Sequence, residues 1–201
     1  MNQLSSTHHE VIDELVRSAL LKASEAMEAM LKIRMKPHDS LHGFGRLERI
    51  PEFDELGRFK VHAVRVRIKG EIGGAFYFLI NAHEVDLVNQ VCLPDTMNAS
   101  TLSEDKMMKH GFMSEIENMI ASLSIGEISD ALGVQLLIDV PEVQILQGED
   151  INKFLDTENF SNRTSFHVRS NLSGVVVNIS PYFIWMLDER FVETLKLNIV
   201  I

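Results

Sequence analysis

The sequence predicts an α+β fold in which two long helices pack on one face of a mainly antiparallel sheet. Apolar residues recur at helical spacing in two long segments, residues 10–33 and 103–132. Strand-like segments follow each of these helices, and a short helical segment closes each half. This shared order of helix, strands and helix indicates a duplicated unit. We therefore expect one pseudo-duplicated domain over residues 1–201.

The two halves of this domain are expected to meet in a polar connection. The stretch PDTMNASTLSED has no periodic apolar pattern, which is typical of a connection rather than a core element. We place the first half at residues 10–93, the connection at 94–102 and the second half at 103–201. Sequence identity between the halves is poor, so the duplication is predicted from the order of elements alone.

The first half begins with an amphipathic helix over residues 10–33. Its apolar residues at helical spacing are Ile12, Leu15, Ala19, Leu20, Ala23, Met27, Met30 and Leu31. Pro37, Gly43, Gly45 and Gly57 follow and interrupt the pattern. They predict a loop between this helix and the first strand.

Two strands and a capped helix complete the first half. A strand is predicted over residues 60–69, because residues 64–69 alternate apolar and basic side chains, which is typical of a strand with one solvated face. A second strand is predicted over residues 75–80, and the glycines between the two predict a hairpin. Asn81 and Glu84 have the spacing of a capping box, so a helix is expected from Ala82 to Leu93.

The second half opens with the longer of the two helices. Thr101 and Glu104 form a second capping box, and Gly133 follows Leu132 as the terminating residue. The remaining predicted elements are a strand over 134–146, a helix over 149–155, strands over 164–172 and 174–180, and a helical turn over 188–195.

Composition excludes several functional classes. The net charge of -10, from 29 acidic and 19 basic residues, disfavours a nucleic-acid partner. No apolar run approaches the roughly 20 residues of a membrane span, and the N-terminus lacks the pattern of a secretory signal. The single cysteine, Cys92, lies in an apolar helical stretch and is interpreted as a buried structural thiol. A cytoplasmic location is therefore expected.

The sequence contains no convincing metal or cofactor site. It has neither a phosphate-binding P-loop nor an HExxH motif. His38 and His42 have HxxxH spacing, but they fall in the predicted loop rich in proline and glycine, which argues against metal ligation. No cofactor of the protein's own is expected.

The helix over residues 103–132 has two contrasting sides. Its predicted buried side consists of Phe112, Ile116, Met119, Ile120 and Leu123. The opposite side is a stripe without large apolar residues, formed by Gly111, Glu115, Asn118, Ser122, Gly126 and Ser129. This stripe is either an ordinary solvated face or a surface that another backbone approaches closely. Two glycines favour the second interpretation, because each costs about 1 kcal/mol of helix stability relative to alanine.

One carboxylate and one carboxamide stand out in this stripe. Glu115 and Asn118 are three residues apart, so their side chains project from neighbouring positions on the helix surface. A carboxylate can hold a cationic partner, and a carboxamide can donate and accept hydrogen bonds at once and so orient a water molecule. The pair is the candidate active site.

These residues resemble the signature of the CheC/CheX chemotaxis phosphatases, in which Glu, two residues, Asn, twenty-two residues and Pro follow one another. Glu115, Asn118 and Pro141 have this spacing. The words EIENMIASLSIGEISDALG, VPEVQILQG and GEIGGAFYFLI are similar to the helix, strand and hairpin of the CheX branch. The chain is longer than a minimal CheX, near residues 40–60 and at the C-terminus.

The sequence also departs from the family pattern. Gly111 stands where the family often has Asp or Ser, and Ser122 and Leu123 stand where it often has a Gly-Asn pair. On the first helix Glu14 is followed at the Asn position by Arg17, so a second site of the CheC kind is not expected.

The resemblance implies a phosphatase that acts on the aspartyl phosphate of a CheY-like response regulator. Asn118 is then expected to orient the attacking water, and Glu115 to pair with the regulator's active-site lysine. The docking surface is expected to be Gly111, Ser122, Gly126 and Ser129, with Mg²⁺ supplied by the regulator. The resemblance also implies a homodimer paired through sheet edges. The alternative is a non-catalytic CheC-like module that binds a response regulator or another signalling protein.

Overall fold

The architecture comes from a computed structural model that describes residues 4–31, 36–45, 50, 53, 57–93, 102–156, 164–173 and 177–198. The helices in these residues are α1 (Ser6–Leu31), α2 (Ala82–Cys92), α3 (Leu102–Leu132), α4 (Gly148–Asp156) and α5 (Glu189–Asn198). The strands are β1 (Lys36–Gly45), β2 (Lys60–Gly70), β3 (Gly74–Asn81), β4 (Leu136–Ile138), β5 (Glu142–Gln147), β6 (Thr164–Ser173), β7 (Asn178–Ile179) and β8 (Tyr182–Leu187). None of the described helices has both the length and the apolar character needed to cross a membrane.

All the strands form one antiparallel sheet in the order β1-β6-β8-β3-β2-β4, with β5 also paired to β2 and β7 to β6. This order is symmetric about the central β3–β8 pair. Strand β1 of the first half pairs with β6 of the second, and β4 and β5 of the second half pair with β2 of the first. The halves therefore interlock. The predicted α+β class with a mainly antiparallel, pseudo-duplicated sheet is confirmed.

The sheet has a buried core on each face. Because side chains alternate along a strand, Phe76 and Phe78 of β3 face one side and Tyr77 faces the other. The larger core contains side chains of α1, α3 and α5. The smaller core on the opposite face contains Ile151 and Leu155 of α4. Helix α4 thus covers a face that the sequence prediction had left without a helix.

Helix α1 buries the predicted side. Ile12, Leu15, Ala19, Leu20, Ala23 and Met27 are all buried in the larger core. A polar contact also joins α1 to α3, because the Ser18 hydroxyl donates a hydrogen bond of 2.6 Å to Glu127 Oε1. The two long helices are therefore fixed to each other as well as to the sheet.

The loop predicted around Pro37, Gly43 and Gly45 is wrong. These residues lie in strand β1, which pairs with β6 from Lys36↔Ser173 to Gly45↔Ser165. Strand β1 is at the end of the sheet, where proline is tolerated because one side of the strand makes no ladder hydrogen bonds. His38 and His42 consequently lie in a strand and not in a loop.

The strands of the second half also differ from the prediction. Strand β8 was not predicted, although its six residues are all buried at the sheet centre. The strand expected over 134–146 is divided into β4 and β5 by Asp139–Pro141. Of the strand expected over 174–180, Asn178 and Ile179 form β7, and residues 174–176 lie outside the described part of the chain.

The capping predictions have different outcomes. Asn81 caps α2, since its side chain accepts a hydrogen bond of 2.9 Å from the His83 backbone N–H. The Glu84 carboxylate accepts hydrogen bonds from the backbone N–H groups of Asn81 and Ser180, and burial raises its pKa. Thr101, the second predicted cap, lies outside the described residues.

The turn between β2 and β3 depends on Gly74, which has a φ of 157° and lies opposite Leu187 of β8. A Cβ atom there would clash with the backbone carbonyl oxygen of Met186. Gly74→Ala should therefore force the central strands apart and destabilise the fold by about 1 to 3 kcal/mol. Urea unfolding monitored by the fluorescence of Trp185, which is buried in this region, measures the effect.

Gly126→Ala is the matched control, because a Cβ atom on this helical glycine meets nothing within 4 Å. It should stabilise the protein by up to about 1 kcal/mol. Equal stability of the two variants would show that the β3–β8 contact does not require glycine.

Candidate functional site

The stripe predicted on the long helix lies on the solvent side of α3. Glu115 and Asn118 are exposed, and so are Gly111 and Ser122, whereas Gly126 is half-buried. Ser129, near the end of the stripe, is also half-buried. The side chains that α3 buries are Met113, Ile116, Glu117, Ile120, Ala121, Ser124, Ile125, Ile128 and Leu132. The carboxylate and carboxamide therefore face solvent one turn apart.

The predicted buried side of α3 is only partly correct. Ile116 and Ile120 are fully buried, and Phe112 packs against the larger core. Leu123, however, is 39% exposed. Compared with the prediction, the buried side of α3 is shifted around the helix toward Glu117 and Ser124. The apolar pattern of the sequence did not reveal that these two polar residues are buried.

No backbone approaches the glycines of the stripe within the described chain. A Cβ atom added at Gly111 or Gly126 meets nothing within 4 Å. The expected close approach is therefore not made by any of the residues that the structure describes. The space beside both glycines is open.

Two serines of the stripe form local hydrogen bonds. The Ser122 hydroxyl donates to the Asn118 backbone carbonyl at 2.7 Å. The Ser129 hydroxyl donates to the Val134 carbonyl at 2.5 Å and so joins the end of α3 to the next segment. Ser129 thus has a structural role in addition to the docking role predicted for it.

Pro141 lies between β4 and β5, in a segment fixed by ion pairs to β2. Lys69 Nζ is 2.6 Å from Asp139 on one side of the proline, and the Arg65 guanidinium pairs with Glu142 on the other. Such exposed pairs contribute about 0 to 1 kcal/mol each. Their main effect is to hold the segment against the sheet while leaving Val140 85% exposed.

The sequence prediction missed a buried polar pair behind Asn118. Glu117 is completely buried, and its Oε1 atom lies 3.1 Å from Nδ1 of His62 on β2, which is also buried. The two atoms are at contact distance without an aligned hydrogen bond, and neither Glu117 oxygen has another partner in the described structure. The sequence does contain a signal that Glu117 is buried, because Glu117 lies one helical turn from both Met113 and Ala121 on the same side of the helix.

Burial determines the protonation of this pair. Removal from water raises the pKa of Glu117 to about 8, because the interior disfavours the carboxylate. It also lowers the pKa of His62 to about 4, and the nearby charge of His110 acts in the same direction. Between these values the carboxyl carries its proton and the imidazole is neutral, so the pair holds no net charge at neutral pH.

Structural comparison identifies known proteins with this architecture, whereas no protein-family model and no curated protein matches the sequence. The structure of FliY from Thermotoga maritima has a TM-score of 0.73 at 14% identity and covers 96% of each chain. The CheX–CheY–BeF3–Mg complex from Borrelia burgdorferi has a TM-score of 0.55 at 18% identity, covering 87% of this chain and 98% of the other. The FliM–SpeE complex from H. pylori has a TM-score of 0.61 at 11% identity, covering 99% and 100%.

The chain has the CheC-like fold. The resemblance predicted from Glu115, Asn118 and Pro141 is confirmed at the level of the fold. FliY covers 96% of the chain and CheX 87%, so much of the length beyond CheX has a counterpart in FliY. In this CheC-like fold, Glu115 and Asn118 lie on an exposed helix face.

The protonation of Glu117 predicts how stability depends on pH. Its pKa is raised from 4.5 to about 8 on folding, so the unfolded chain binds fewer protons between these values and stability falls as pH rises through this range. The pKa of His62 is lowered from 6.5 to about 4 on folding, so its contribution to stability rises with pH between these values. Below pH 6.5 this rise offsets part of the loss caused by Glu117. A net loss from the pair is therefore expected between pH 6.5 and about 8.

Glu117→Gln isolates this contribution, since it keeps the shape and removes the titration. The free energy of unfolding of Glu117→Gln minus that of the wild type should rise with pH up to about 8, by at most about 1.4 kcal/mol per pH unit. Urea unfolding at half-unit intervals from pH 5 to pH 9 measures it. A difference that does not change with pH would contradict the assigned protonation of Glu117.

Proposed function

We propose that this CheC-like protein is a cytoplasmic phosphatase that hydrolyses the aspartyl phosphate of a CheY-like response regulator. The observation that carries the proposal is the exposure of Glu115 and Asn118, three residues apart on one side of α3. Their spacing to Pro141 supports it, as does the similarity of the fold to that of CheX bound to CheY.

The reaction requires positioning more than covalent chemistry. Asn118 orients a water molecule through its carboxamide for in-line attack on phosphorus. The new P–O bond forms as the bond to the aspartyl oxygen breaks, which releases inorganic phosphate and restores the regulator's carboxylate. Glu115 pairs with the regulator's active-site lysine and sets the orientation of docking. The Mg²⁺ ion that balances phosphoryl charge comes with the regulator, and no cofactor of the protein's own takes part.

Small residues around the pair allow the regulator to approach. The open space beside Gly111 and Gly126 lets another backbone come close to α3. Ser122 presents little bulk because its hydroxyl is turned back to the Asn118 carbonyl. Together with the part of Ser129 that remains exposed, these residues form the proposed docking surface.

Asn118→Ala should remove most of the dephosphorylation while folding and docking remain nearly unchanged, because the side chain is exposed. Loss of a water-positioning group is expected to lower the rate by about 10²- to 10³-fold, by analogy with a lost oxyanion-hole donor. Phosphate release from a phosphorylated regulator measures the rate. Asn178→Ala, an exposed asparagine on β7, is the matched control and should retain full activity.

Glu115→Ala should weaken docking as well as turnover, because its proposed role is a charged contact with the partner. Calorimetry measures the affinity for a regulator that carries a beryllofluoride phosphate mimic, and so separates the effect on docking from the effect on turnover. Asp130→Ala, an exposed acid near the end of α3, is the control. If Glu115→Ala lowers turnover with unchanged affinity, the assigned docking contact is wrong.

The second candidate is a non-catalytic module that binds a response regulator or another signalling protein. The observation in its favour is the similarity to FliM, whose TM-score of 0.61 exceeds the 0.55 of CheX. The FliM structure is a complex with another protein, SpeE. In this case the stripe on α3 binds a partner without catalysis. Asn118→Ala then has no effect on dephosphorylation, because the wild-type protein does not catalyse it.

We also propose a homodimer that pairs through sheet edges, since β1 lies at one end of the sheet and β4 at the other. An unpaired edge strand is a liability that pairing with a second copy removes. Light scattering at micromolar concentration should give twice the chain mass of 22.8 kDa. A mass near that of one chain would rule out this dimer.

A further inference from the structure

The buried pair of Glu117 and His62 lies directly behind the exposed pair on α3, and the proposed mechanism does not use it. Glu117 immediately precedes Asn118, and its side chain is 0% exposed. Its neighbours along the buried side of α3, including Met113, Ile120 and Ala121, are apolar. A glutamate here is therefore an exception within a hydrophobic helix–sheet contact.

Stability does not explain this exception. Burial of a polar group without an aligned hydrogen bond is unfavourable, and replacement of buried polar pairs by apolar residues is often neutral or stabilising. The Glu117 oxygens and His62 Nδ1 lack aligned partners in this conformation. Apolar residues at both positions would give a core at least as stable.

The pair does supply a specific contact between α3 and the sheet. Apolar packing tolerates small rotations of a helix about its axis, whereas the approach of Glu117 Oε1 to within 3.1 Å of His62 Nδ1 places this side of α3 against one residue of β2. A rotation of α3 that breaks this contact would also turn the exposed Glu115 and Asn118 away from their positions.

We propose that Glu117 and His62 are positioning residues that hold Asn118 and Glu115 in their working orientation through their close carboxyl–imidazole contact beneath the exposed stripe. This inference rests on the proposed function for its catalytic consequence. Neither residue touches the substrate, since both are buried beneath the exposed stripe.

The surroundings of the pair favour a single protonation state. In the sheet register His62 lies between Ile80 of β3 and Ile145 of β5, both apolar. His110, about two turns before Glu117 on α3, is the charged group that acts on His62. Loss of the Glu117 proton at alkaline pH would place an unshared charge in the helix–sheet contact and loosen it.

Two variants separate positioning from a purely structural role. Glu117→Gln keeps an N–H donor for His62 Nδ1 and cannot titrate. The double variant Glu117→Leu/His62→Leu removes the polar contact and keeps an apolar core. Phosphate release from a phosphorylated regulator is measured for both and for the wild type from pH 6 to pH 9, with urea unfolding as the control for folding.

The double variant should be as stable as the wild type at pH 7 but slower by about 10- to 100-fold in kcat, because small misplacements of catalytic groups have effects of this size. Glu117→Gln should match the wild type at pH 7 and keep its rate at alkaline pH, where the wild type declines. A double variant with the wild-type rate and the wild-type pH profile overturns the proposal. If the double variant does not fold, the pH profile of Glu117→Gln tests the proposal instead. A rate of Glu117→Gln that declines at alkaline pH as the wild-type rate does overturns the proposal.

A further measurement keeps this test independent of the phosphatase activity. The NMR amide signals of Glu115 and Asn118 in the free protein should shift with one alkaline midpoint in the wild type and not in Glu117→Gln. Such shifts in a wild type that releases no phosphate would support the positioning pair and reject the proposed enzyme. Signals that do not shift in the wild type reject the pair itself.

Discussion

The antiparallel pairing of β3 with β8 is the contact on which the rest of the structure depends. It joins the two halves at the centre of the sheet, and the outer strands cross over so that each half completes the other. Both faces of this pair are covered, with Phe76 and Trp185 in the larger core and Tyr77 in the smaller one. Gly74 allows the backbones to approach at its end. Neither half can form this sheet alone.

This sheet determines which side of α3 remains available. Ile116 and Ile120 are buried against it, so Glu115 and Asn118 are left exposed on the opposite side. A buried helix with an exposed polar face can act by holding water and a partner in position, which is the chemistry proposed here. Glu117 adds a polar contact with His62 of β2 to a mainly apolar interface, and the proposed positioning role links the orientation of the exposed pair to this strand.

Local signals predicted much of the fold and long-range pairing was missed. Helix α1, the β2–β3 hairpin and the Asn81 cap were predictable because periodicity, glycines and capping spacing are local. The proline and glycines of strand β1 predict a loop locally, whereas its pairing with β6, distant in sequence, makes it a strand. Strand β8 was missed because it is buried on both faces and shows no alternation. At the site, the exposed stripe was predictable from its small residues, whereas the pairing of Glu117 with His62 was not, because His62 lies on a strand of the other half.

The central claim is that the exposed face of α3 acts on a regulator's aspartyl phosphate, with docking as its first step. The most direct measurement is the lifetime of the phosphate on each of a panel of phosphorylated response regulators from the same organism, with and without the wild-type protein. The phosphate lifetime of at least one regulator should shorten in proportion to the protein added. A regulator that binds the protein while every phosphate lifetime stays unchanged would contradict the enzymatic claim and favour the binding module.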